Sequence, residues 1–400
     1  MHDIRSKTQQ RTPWQLLTLL MAMTAIGPAT LNILVPALPA LAKRLAIETG
    51  TAQLTLSLYL LSLAAAQLLL GPLSDRFGRR PVVLAGLSIA VVASLAAIAA
   101  GSIHALIAAR ILQAAGASTG IVIGRAIIRD LYERDRAAAM IGLVTTAMVI
   151  APMIAPLIGG ILDTAFGWEA IFLFLALFCG CVLAWALAVL PETRPTRVAH
   201  TPTAIFSEWR TLLGSAKFHG YVLAAALGSA PFFTFLGGGP HVVVTLMGRS
   251  SAEYGLWFAL SSCGYMSGNF AVSRLSQRIG VDGMIMAGVV AELIGAGITT
   301  LLAATVPDAG PVTIFVPQLV ISFGNGLLLA NAIAGAVSVR PQAAGTASGM
   351  AGFVQMAIGA ASTQLVTLAL AGAHSALPMA LMMLIEAAAT GLAFWLLTRR

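Results

Sequence analysis

The sequence alternates long apolar runs with short polar segments. Each run is close to the roughly 20 residues that an α-helix needs to cross the hydrocarbon core of a bilayer, and the segments between them hold most of the charge. The pattern predicts an all-α polytopic membrane protein with twelve spanning helices, spans one to twelve. Their expected residues are 14–35, 52–70, 81–101, 105–127, 138–162, 168–190, 220–246, 254–271, 284–304, 312–332, 350–370 and 377–397.

The longest polar interval lies in the middle of the chain, at residues 191–219. It contains three prolines and joins span six to span seven. We therefore expect an N-terminal half at 1–190, a cytoplasmic linker at 191–219 and a C-terminal half at 220–400.

A short charged stretch follows the second span of each half. Residues 73–86 (LSDRFGRRPVVLAG) align with residues 275–288 (LSQRIGVDGMIMAG) at an offset of 202, with six identical positions. This offset is half of the 400-residue chain. Two parallel repeats of about six spans are typical of a transporter built by duplication.

The first copy, Gly71 to Gly86, is predicted to be a tight loop between spans two and three. Asp75 is placed to cap a helix N-terminus, while Arg76, Arg79 and Arg80 can pair with carboxylates or helix C-termini on the same face. An alternative stays open, since three arginines in a short loop can also be a positive-inside orientation signal.

Composition excludes most soluble functions. The chain is 58% hydrophobic and 10% charged, with a mean hydropathy of +0.90, whereas soluble domains carry about 25% charged residues. The net charge of +8 comes from residues scattered singly between apolar runs, so no nucleic-acid partner is expected.

No constellation for catalysis or cofactor binding stands out. The sequence has no nucleotide-binding loop, nucleophile triad or metal cluster, so we expect neither an enzyme nor a cofactor. Its cysteines, Cys179, Cys181 and Cys263, lie in apolar runs and indicate neither disulfides nor a zinc site. The first span follows a charged segment without a cleavage site and is expected to be retained.

The positive charges also predict the orientation. If the N-terminus is cytoplasmic, 19 of the 23 lysines and arginines fall on the cytoplasmic side, as the positive-inside rule requires. Lys43, Arg44 and Arg249 fall outside, and Arg110 lies within span four. Both termini are therefore expected in the cytoplasm.

Two stretches resemble a known family. Residues 71–80 match the loop motif of the major facilitator superfamily residue for residue, from Gly71 through Gly78 to Arg80. Residues 27–41 (GPATLNILVPALPAL) resemble the first span of its bicyclomycin and chloramphenicol resistance (Bcr/CflA) subfamily of drug:proton antiporters, in which Asp-Met-Tyr-Leu-Pro-Ala-Leu-Pro is usual.

Asn32 stands where that subfamily has its aspartate. An amide cannot exchange a proton as a buried acid can, so proton coupling through span one is in doubt. Asn32 can still donate and accept hydrogen bonds with a substrate, and a purely structural asparagine is the alternative.

The resemblance implies that spans one, four, seven and ten line a central cavity. Arg110 and Gln113 are similar to the family motif Arg-x-x-Gln-Gly, with Ala114 in place of the glycine. Residues 147–162 resemble the antiporter motif of span five, which would let helices bend and approach closely at an interface between halves. The same small residues serve packing alone in other membrane helices. The residues carrying this motif are Pro152, Pro156, Gly159 and Gly160.

Further candidates come from the residues themselves. A cation such as Arg110 is costly within a span unless it lines a wet cavity or has a partner. In span seven, three glycines and Pro240 are predicted to interrupt the helix beside His241, which either titrates near neutral pH or stays neutral. Phe232 and Phe235 line an apolar drug pocket or belong to the core, and Asn325 is a cavity candidate.

Two acids are predicted within spans, Glu292 in span nine and Glu386 in span twelve. At that depth a carboxyl is protonated or paired. We expect the two to form a neutral or proton-sharing pair that holds these spans together, and a role in proton coupling is the alternative.

Together these features predict a multi-pass exporter of the bacterial inner membrane. Its substrates are expected to be small amphipathic molecules such as antibiotics, carried by a monomer in the lipid bilayer and driven by protons if a cavity group is protonated as the substrate leaves. Two alternatives remain: a facilitator or exporter of a metabolite such as a sugar or amino acid without direct proton coupling, and a substrate-sensing membrane receptor.

Overall fold

The chain folds into a bundle of long helices. The structure, a computed structural model, describes residues 13–132, 134–193, 210–306, 310–340 and 343–398, so most of the predicted linker lies outside the described residues. Span one comprises Pro13–Ile33, a 3₁₀ turn Val35–Ala37 and Leu38–Arg44, and span seven comprises Ala216–Gly228, Ala230–Pro240 and a π turn His241–Leu246. The other helices are Thr49–Phe77, Arg79–Ile98, Ile103–Leu131, Arg134–Phe166, Glu169–Val189, Ser251–Thr305, Val312–Ser338, Ala344–Ala369 and Leu377–Thr398.

The prediction of twelve membrane spans is confirmed within the described residues. Eleven of their helices are long and apolar enough to cross a membrane. One of them, Ser251–Thr305, contains 55 residues and holds both span eight and span nine. Large apolar side chains such as Leu69 and Phe166 lie exposed on the outside of the bundle, as expected where lipid is the solvent.

The predicted loop at residues 71–86 is instead a break of one residue. Span two continues as a helix to Phe77, and span three begins at Arg79. Gly78 between them has φ 100° and ψ 153°, and Gly280 breaks the long helix with φ 79° and ψ 167°. These dihedral angles are almost exclusive to glycine, which explains why a single residue suffices.

The hydrophobic cores show how the two halves meet. We call the end where span one begins and span twelve ends the terminal face, and the opposite end the far face. One core at the far face combines residues of both halves, including Leu34, Leu56, Phe235 and Val366.

Toward the terminal face the core divides in two. One cluster contains only N-terminal residues, such as Leu20 and Leu87. Another contains residues of the C-terminal half, such as Ile285 and Leu328, together with Leu212 and Phe218 from the end of the linker. The halves are therefore joined by a shared core at the far face and have separate cores at the terminal face.

Glycines permit the closest contacts of the far-face seam. Gly160 of span five lies against the carbonyl of Ser251 in span eight, and Gly255 of span eight lies against the carbonyl of Pro156. A side chain at either glycine would collide with the opposing backbone. Span two meets span eleven at a second seam, where Gln364 accepts a hydrogen bond from Ser57 at 3.3 Å and donates one to the Gly50 carbonyl at 3.2 Å.

Span seven differs from its prediction. Gly237, Gly238 and Gly239 do not interrupt the helix but lie within Ala230–Pro240. They act as contact points, since Gly237 and Gly238 lie against Thr363 and Met379. The helix breaks earlier, at Ser229, and changes to π geometry after Pro240, because proline lacks the N–H that would continue the α-helical bonding.

Candidate functional site

Arg110 lies at the centre of a buried polar network in the N-terminal half. Its Nη1 donates to the Thr30 carbonyl at 3.0 Å and to Gln113 Oε1 at 2.6 Å, and its Nε donates to the Thr55 carbonyl at 3.4 Å. The guanidinium carbon lies 4.2 Å from the centre of the Tyr59 ring. Arg110 therefore ties span four to spans one and two through backbone carbonyls and a cation–π contact.

The network continues through Gln113. Its Nε2 donates to Ser94 Oγ at 2.7 Å, and the Tyr59 hydroxyl donates to the Gly27 carbonyl at 3.0 Å. Arg110 and Gln113 are 0% and 1% exposed, respectively. The two predicted residues thus act together, and they connect all of the first four spans.

Three polar atoms beside this network form no hydrogen bond of acceptable geometry with the described residues. They are Thr30 Oγ1, Asn32 Oδ1 and Arg110 Nη2. The amide nitrogen of Asn32 donates to the Pro28 carbonyl of its own helix at 2.8 Å. Because most buried polar atoms in proteins are paired, this group of free donor and acceptor atoms marks a place where a polar ligand group could bind.

The aromatic residues predicted in span seven pack into a buried cluster. Phe235 stacks on Phe258 with ring centres 6.0 Å apart and meets the edge of Phe315 at 5.4 Å. Phe232 contacts Phe258 at 6.3 Å. Phe235 is 1% exposed, so it belongs to the far-face core rather than to an open pocket, whereas Phe232 is only partly buried.

Asn325 in span ten is part of the break in span seven. Its Nδ2 donates to the Gly228 carbonyl at 2.8 Å, and Gln355 Nε2 donates to Ser229 Oγ at 2.8 Å. These side chains satisfy polar groups at the helix end. His241 lies apart from them, half-buried at the start of the π turn.

The two acids within the spans differ in their surroundings, and only Glu292 is fully buried. Glu386 accepts hydrogen bonds from Thr234 at 2.8 and 2.9 Å and from Ser362 at 2.7 Å. Glu292 is 0% exposed, and neither of its carboxyl oxygens meets a hydrogen-bond partner of acceptable geometry. The predicted pair therefore lacks a hydrogen bond between its carboxyl groups, although the two groups interact electrostatically.

The charged motif after span two forms an ionic network on the terminal face. Arg79 bridges Asp75 at 2.6 Å and Asp130 at 2.9 Å, so the expected pairing with carboxylates is observed. Arg80 donates to the Leu187 carbonyl at the end of span six at 3.0 Å. The guanidinium of Arg76 lies 5.2 Å from the Phe77 ring.

Asp75 is not an N-terminal cap as predicted, because it lies inside the helix Thr49–Phe77. The first backbone N–H groups of span three, at Arg79 and Arg80, instead donate to Glu192 at 2.9 and 3.2 Å. Sequence reasoning missed both Glu192 and Asp130. The only signal was topological, since Asp130 lies at the end of span four, Glu192 follows span six, and both spans end on the same face as the arginines.

The antiporter motif of span five lies at two interfaces. Gly159 packs against the Ile33 carbonyl of span one, and Gly160 packs against Ser251 of the other half. Pro152 and Pro156 lie inside the continuous helix Arg134–Phe166. The motif thus places its small residues where span five touches both its own half and the opposite one.

Two pseudo-symmetric helical halves around buried polar groups define a multi-pass membrane transporter. The model of the Major Facilitator Superfamily matches residues 20–363, and the chain belongs to this family. It is therefore a transporter and not an enzyme.

Relatives and solved structures agree with this assignment. The chain is 33% identical over 344 residues to Multidrug resistance protein D of Escherichia coli, covering 85% of each chain. It is 34% identical over 319 residues to the Chloramphenicol resistance protein of Pseudomonas aeruginosa, covering 78% of this chain and 72% of the relative. The predicted resemblance to drug-resistance proteins is confirmed.

The fold is also seen in solved structures. A bacterial homologue of the human lysosomal transporter Spinster, in an inward-facing and occupied conformation, matches with a TM-score of 0.76 at 14% identity. The match covers 97% of this chain and 98% of that chain. At this identity the likeness concerns the fold alone.

Proposed function

We propose that this protein exports small amphipathic molecules, including antibiotics, across the bacterial inner membrane by alternating access. The proposal comprises two rocking halves, 1–190 and 220–400, joined by a cytoplasmic linker at 191–219. It further places both termini in the cytoplasm, with a monomer as the working unit. The distribution of lysine and arginine supports this orientation, and the terminal face is then the cytoplasmic one.

The observation that carries the alternating-access proposal is the arrangement of the three cores. The shared far-face core seals the outer side, while the separate cores toward the terminal face let the halves part there without breaking either one. Such a bundle rocks by exchanging the far-face contacts for contacts at the cytoplasmic side.

The export of drugs is supported by the relatives, whose names record multidrug and chloramphenicol resistance. Within the bundle, the unpaired atoms of Thr30, Asn32 and Arg110 offer both donors and acceptors to a polar substrate group. The partly buried Phe232 and Met356 offer apolar surface. A mixed site of this kind suits amphipathic substrates.

The proposal includes proton coupling as the energy source for export. Asn32 stands where the resemblance to the Bcr/CflA subfamily implies a proton-carrying aspartate, so coupled export requires another group to carry the proton. A facilitator or metabolite exporter without direct coupling is the competing function, and the amide at position 32 is the observation that favours it.

Substrate-induced proton release tests the coupling. The purified protein, weakly buffered in detergent at several pH values, is mixed with chloramphenicol or a lipophilic cation, and Asn32→Asp is measured beside the native chain. Release by the native protein supports coupled export through a carrier outside span one. Binding without release, with release gained only in Asn32→Asp, contradicts coupling in the native chain and supports a facilitator.

Transport itself needs a separate readout. Counterflow of labelled chloramphenicol in proteoliposomes supports a transporter of drugs. Binding without counterflow supports a substrate-sensing receptor, and counterflow of sugars or amino acids in place of drugs supports a metabolite exporter.

A further inference from the structure

Glu386 is held by hydroxyl groups from two neighbouring helices. Thr234 Oγ1 of span seven lies 2.9 and 2.8 Å from its two carboxyl oxygens, and Ser362 Oγ of span eleven lies 2.7 Å from one of them. The acid occupies the middle of Leu377–Thr398. Three spans therefore meet at one carboxyl group.

Hydroxyl partners suit a carboxyl group that changes its charge. A serine or threonine hydroxyl can donate one hydrogen bond or accept one. Both hydroxyls donate to Glu386 when it is ionised, and one of them turns to accept when it is protonated. The same partners thus serve both charge states with little movement, whereas an arginine or lysine partner would fix the negative charge.

The nearby Glu292 has the opposite environment. Its side chain packs against Gly324 and is 0% exposed. Within the described residues neither of its oxygens has a hydrogen bond of acceptable geometry, and its polar neighbour is the Asn325 amide. An ionised carboxylate without well-formed hydrogen bonds in an apolar interior is too costly to persist, so the group stays neutral. The different surroundings of the two acids keep Glu292 neutral and allow Glu386 to change its charge, as in many acid–base sites.

No basic side chain forms an ion pair with Glu386 within the described residues. Spans eleven and twelve carry no other ionisable side chain within their described helices. In the described parts of spans seven and nine, the remaining ionisable side chains lie near the helix ends, apart from Glu292. They are Lys217, His219, Tyr221, His241 and Asp282.

The partners of Glu386 lie on moving parts of the proposed cycle. Thr234 belongs to Ala230–Pro240, the segment of span seven between the break at Ser229 and the π turn. Ser362 lies two residues before Gln364, which bonds to Ser57 and Gly50 of the other half. A change in the Glu386 hydrogen bonds therefore acts on both span seven and the seam of spans two and eleven.

We propose that Glu386 is a reversible proton-binding site of the C-terminal half, with Thr234 and Ser362 as its positioning residues and Glu292 as a neutral neighbour. The proton site follows from geometry and stands without a known substrate. Its use as the carrier that replaces the span-one acid rests on the export function proposed above.

Infrared difference spectroscopy of the protein in lipid tests the site directly. The C=O stretch of protonated carboxyl groups is recorded across a pH titration for the native chain, Glu386→Gln and Glu292→Gln. We expect a pH-dependent component that Glu386→Gln loses and Glu292→Gln retains. In the spectrum of the native chain minus that of Glu292→Gln at one pH, we also expect a protonated-carboxyl component whose size does not change with pH. Retention of the full pH-dependent component in Glu386→Gln would overturn the proposal.

A second pair of variants tests the same site if Glu386→Gln does not fold. Thr234→Val removes a donor to the ionised form and moves the midpoint of the same component to higher pH by about one unit. Thr234→Ser keeps the hydroxyl and the native midpoint. An unchanged midpoint in Thr234→Val would contradict the assignment.

Proton binding and proton coupling are then separable. If Glu386 titrates but the native protein releases no proton on adding chloramphenicol, the site is upheld and its role in coupled export is refuted.

Discussion

Gly78 and Gly280 occupy equivalent places in the two halves, 202 residues apart, and share an unusual backbone geometry. Their φ angles are 100° and 79°, and their ψ angles are 153° and 167°. Each is the single residue between two long helices. The repeat found in the sequence therefore corresponds to a repeated one-residue glycine break between two helices on the terminal face.

The two glycines differ in what surrounds them, which gives the first prediction. A Cβ atom at Gly78 would lie 2.6 Å from Glu192 Oε2, whereas a Cβ atom at Gly280 would have open space. Both Gly→Ala substitutions carry backbone strain of about 1–3 kcal/mol, and only Gly78→Ala also displaces the carboxylate that caps span three. We expect a larger fall in Tm for Gly78→Ala than for Gly280→Ala.

Thermal unfolding of the detergent-solubilised variants measures this difference. Gly180→Ala is the control, because Gly180 lies within a helix and a Cβ atom there meets nothing. Its Tm should equal or exceed the native value. A Tm for Gly280→Ala at or below that of Gly78→Ala would show that Glu192 does not add to the strain.

The second prediction concerns the two acids that pair with Arg79. The side chain of Asp130 is 12% exposed and that of Asp75 is 44% exposed. Breaking a buried ion pair costs about 3 kcal/mol or more because a charge is left uncompensated, whereas an exposed pair contributes about 1 kcal/mol or less. Asp130→Asn should therefore lower the Tm clearly more than Asp75→Asn.

The comparison also tests where the network is anchored. Each substitution neutralises one aspartate that pairs with Arg79. The two variants therefore serve as matched controls for each other. If Asp75→Asn proved the more destabilising variant, the anchor of Arg79 would be its own hairpin rather than span four.

The helices and the repeat could be predicted from sequence because their signals are local. The apolar runs have the length of a bilayer crossing, and the repeat preserved Gly78 and Gly280 in register. Glu192 could not be found in this way, since it bonds to the backbone of Arg79, 113 residues earlier. Such a contact depends on how the finished helices pack, which no single segment records.

The misassigned features have a similar cause. The sequence predicts an interruption of span seven at Gly237 and Gly238, because glycine weakens helices. Glycine also lets helices approach closely, and only the neighbouring helices show which use applies. The charge and glycine content of residues 71–86 predicts a loop with Asp75 as a cap, whereas the helix continues to Phe77.

The third prediction concerns the geometry of Arg110. Its guanidinium holds two backbone carbonyls and Gln113 while lying over the Tyr59 ring. A lysine keeps the charge but lacks the planar fork that reaches these partners, and each lost charged hydrogen bond costs about 1.5–3 kcal/mol. Arg110→Lys should reduce chloramphenicol counterflow about tenfold or more.

Arg125→Lys is the matched control in the same span. Arg125 donates to the sulfur of Met148 at 3.7 Å. Because this sulfur is a weak acceptor, replacing Arg125 by lysine loses little hydrogen-bond energy. This variant should retain most of its counterflow, with both rates normalised to the amount of protein in the proteoliposomes. Equal rates for the two variants would show that charge alone is needed at position 110.

The last prediction concerns the far-face seam. Substitutions at two glycines of span eight distinguish contact between the halves from packing within the C-terminal half. A Cβ atom at Gly255 would collide with the Pro156 carbonyl of the opposite half, and one at Gly264 would collide with the Leu319 carbonyl of the same half. Both substitutions add the same methyl group against a backbone oxygen. Only Gly255→Ala opposes the contact between the halves.

Electron–electron distances between spin labels at His104 and His374 report on this seam, because both residues are exposed and lie at the far face in different halves. His104 is in the first turn of span four, and His374 is in the loop before span twelve. In a background without the native cysteines, Gly255→Ala should shift the distribution toward longer distances, since the far face then opens more often. Gly264→Ala should lower the Tm while leaving the distribution unchanged. A shift of equal size in both variants would mean that loosened packing within the C-terminal half, rather than the glycine contact between halves, controls closure of the far face.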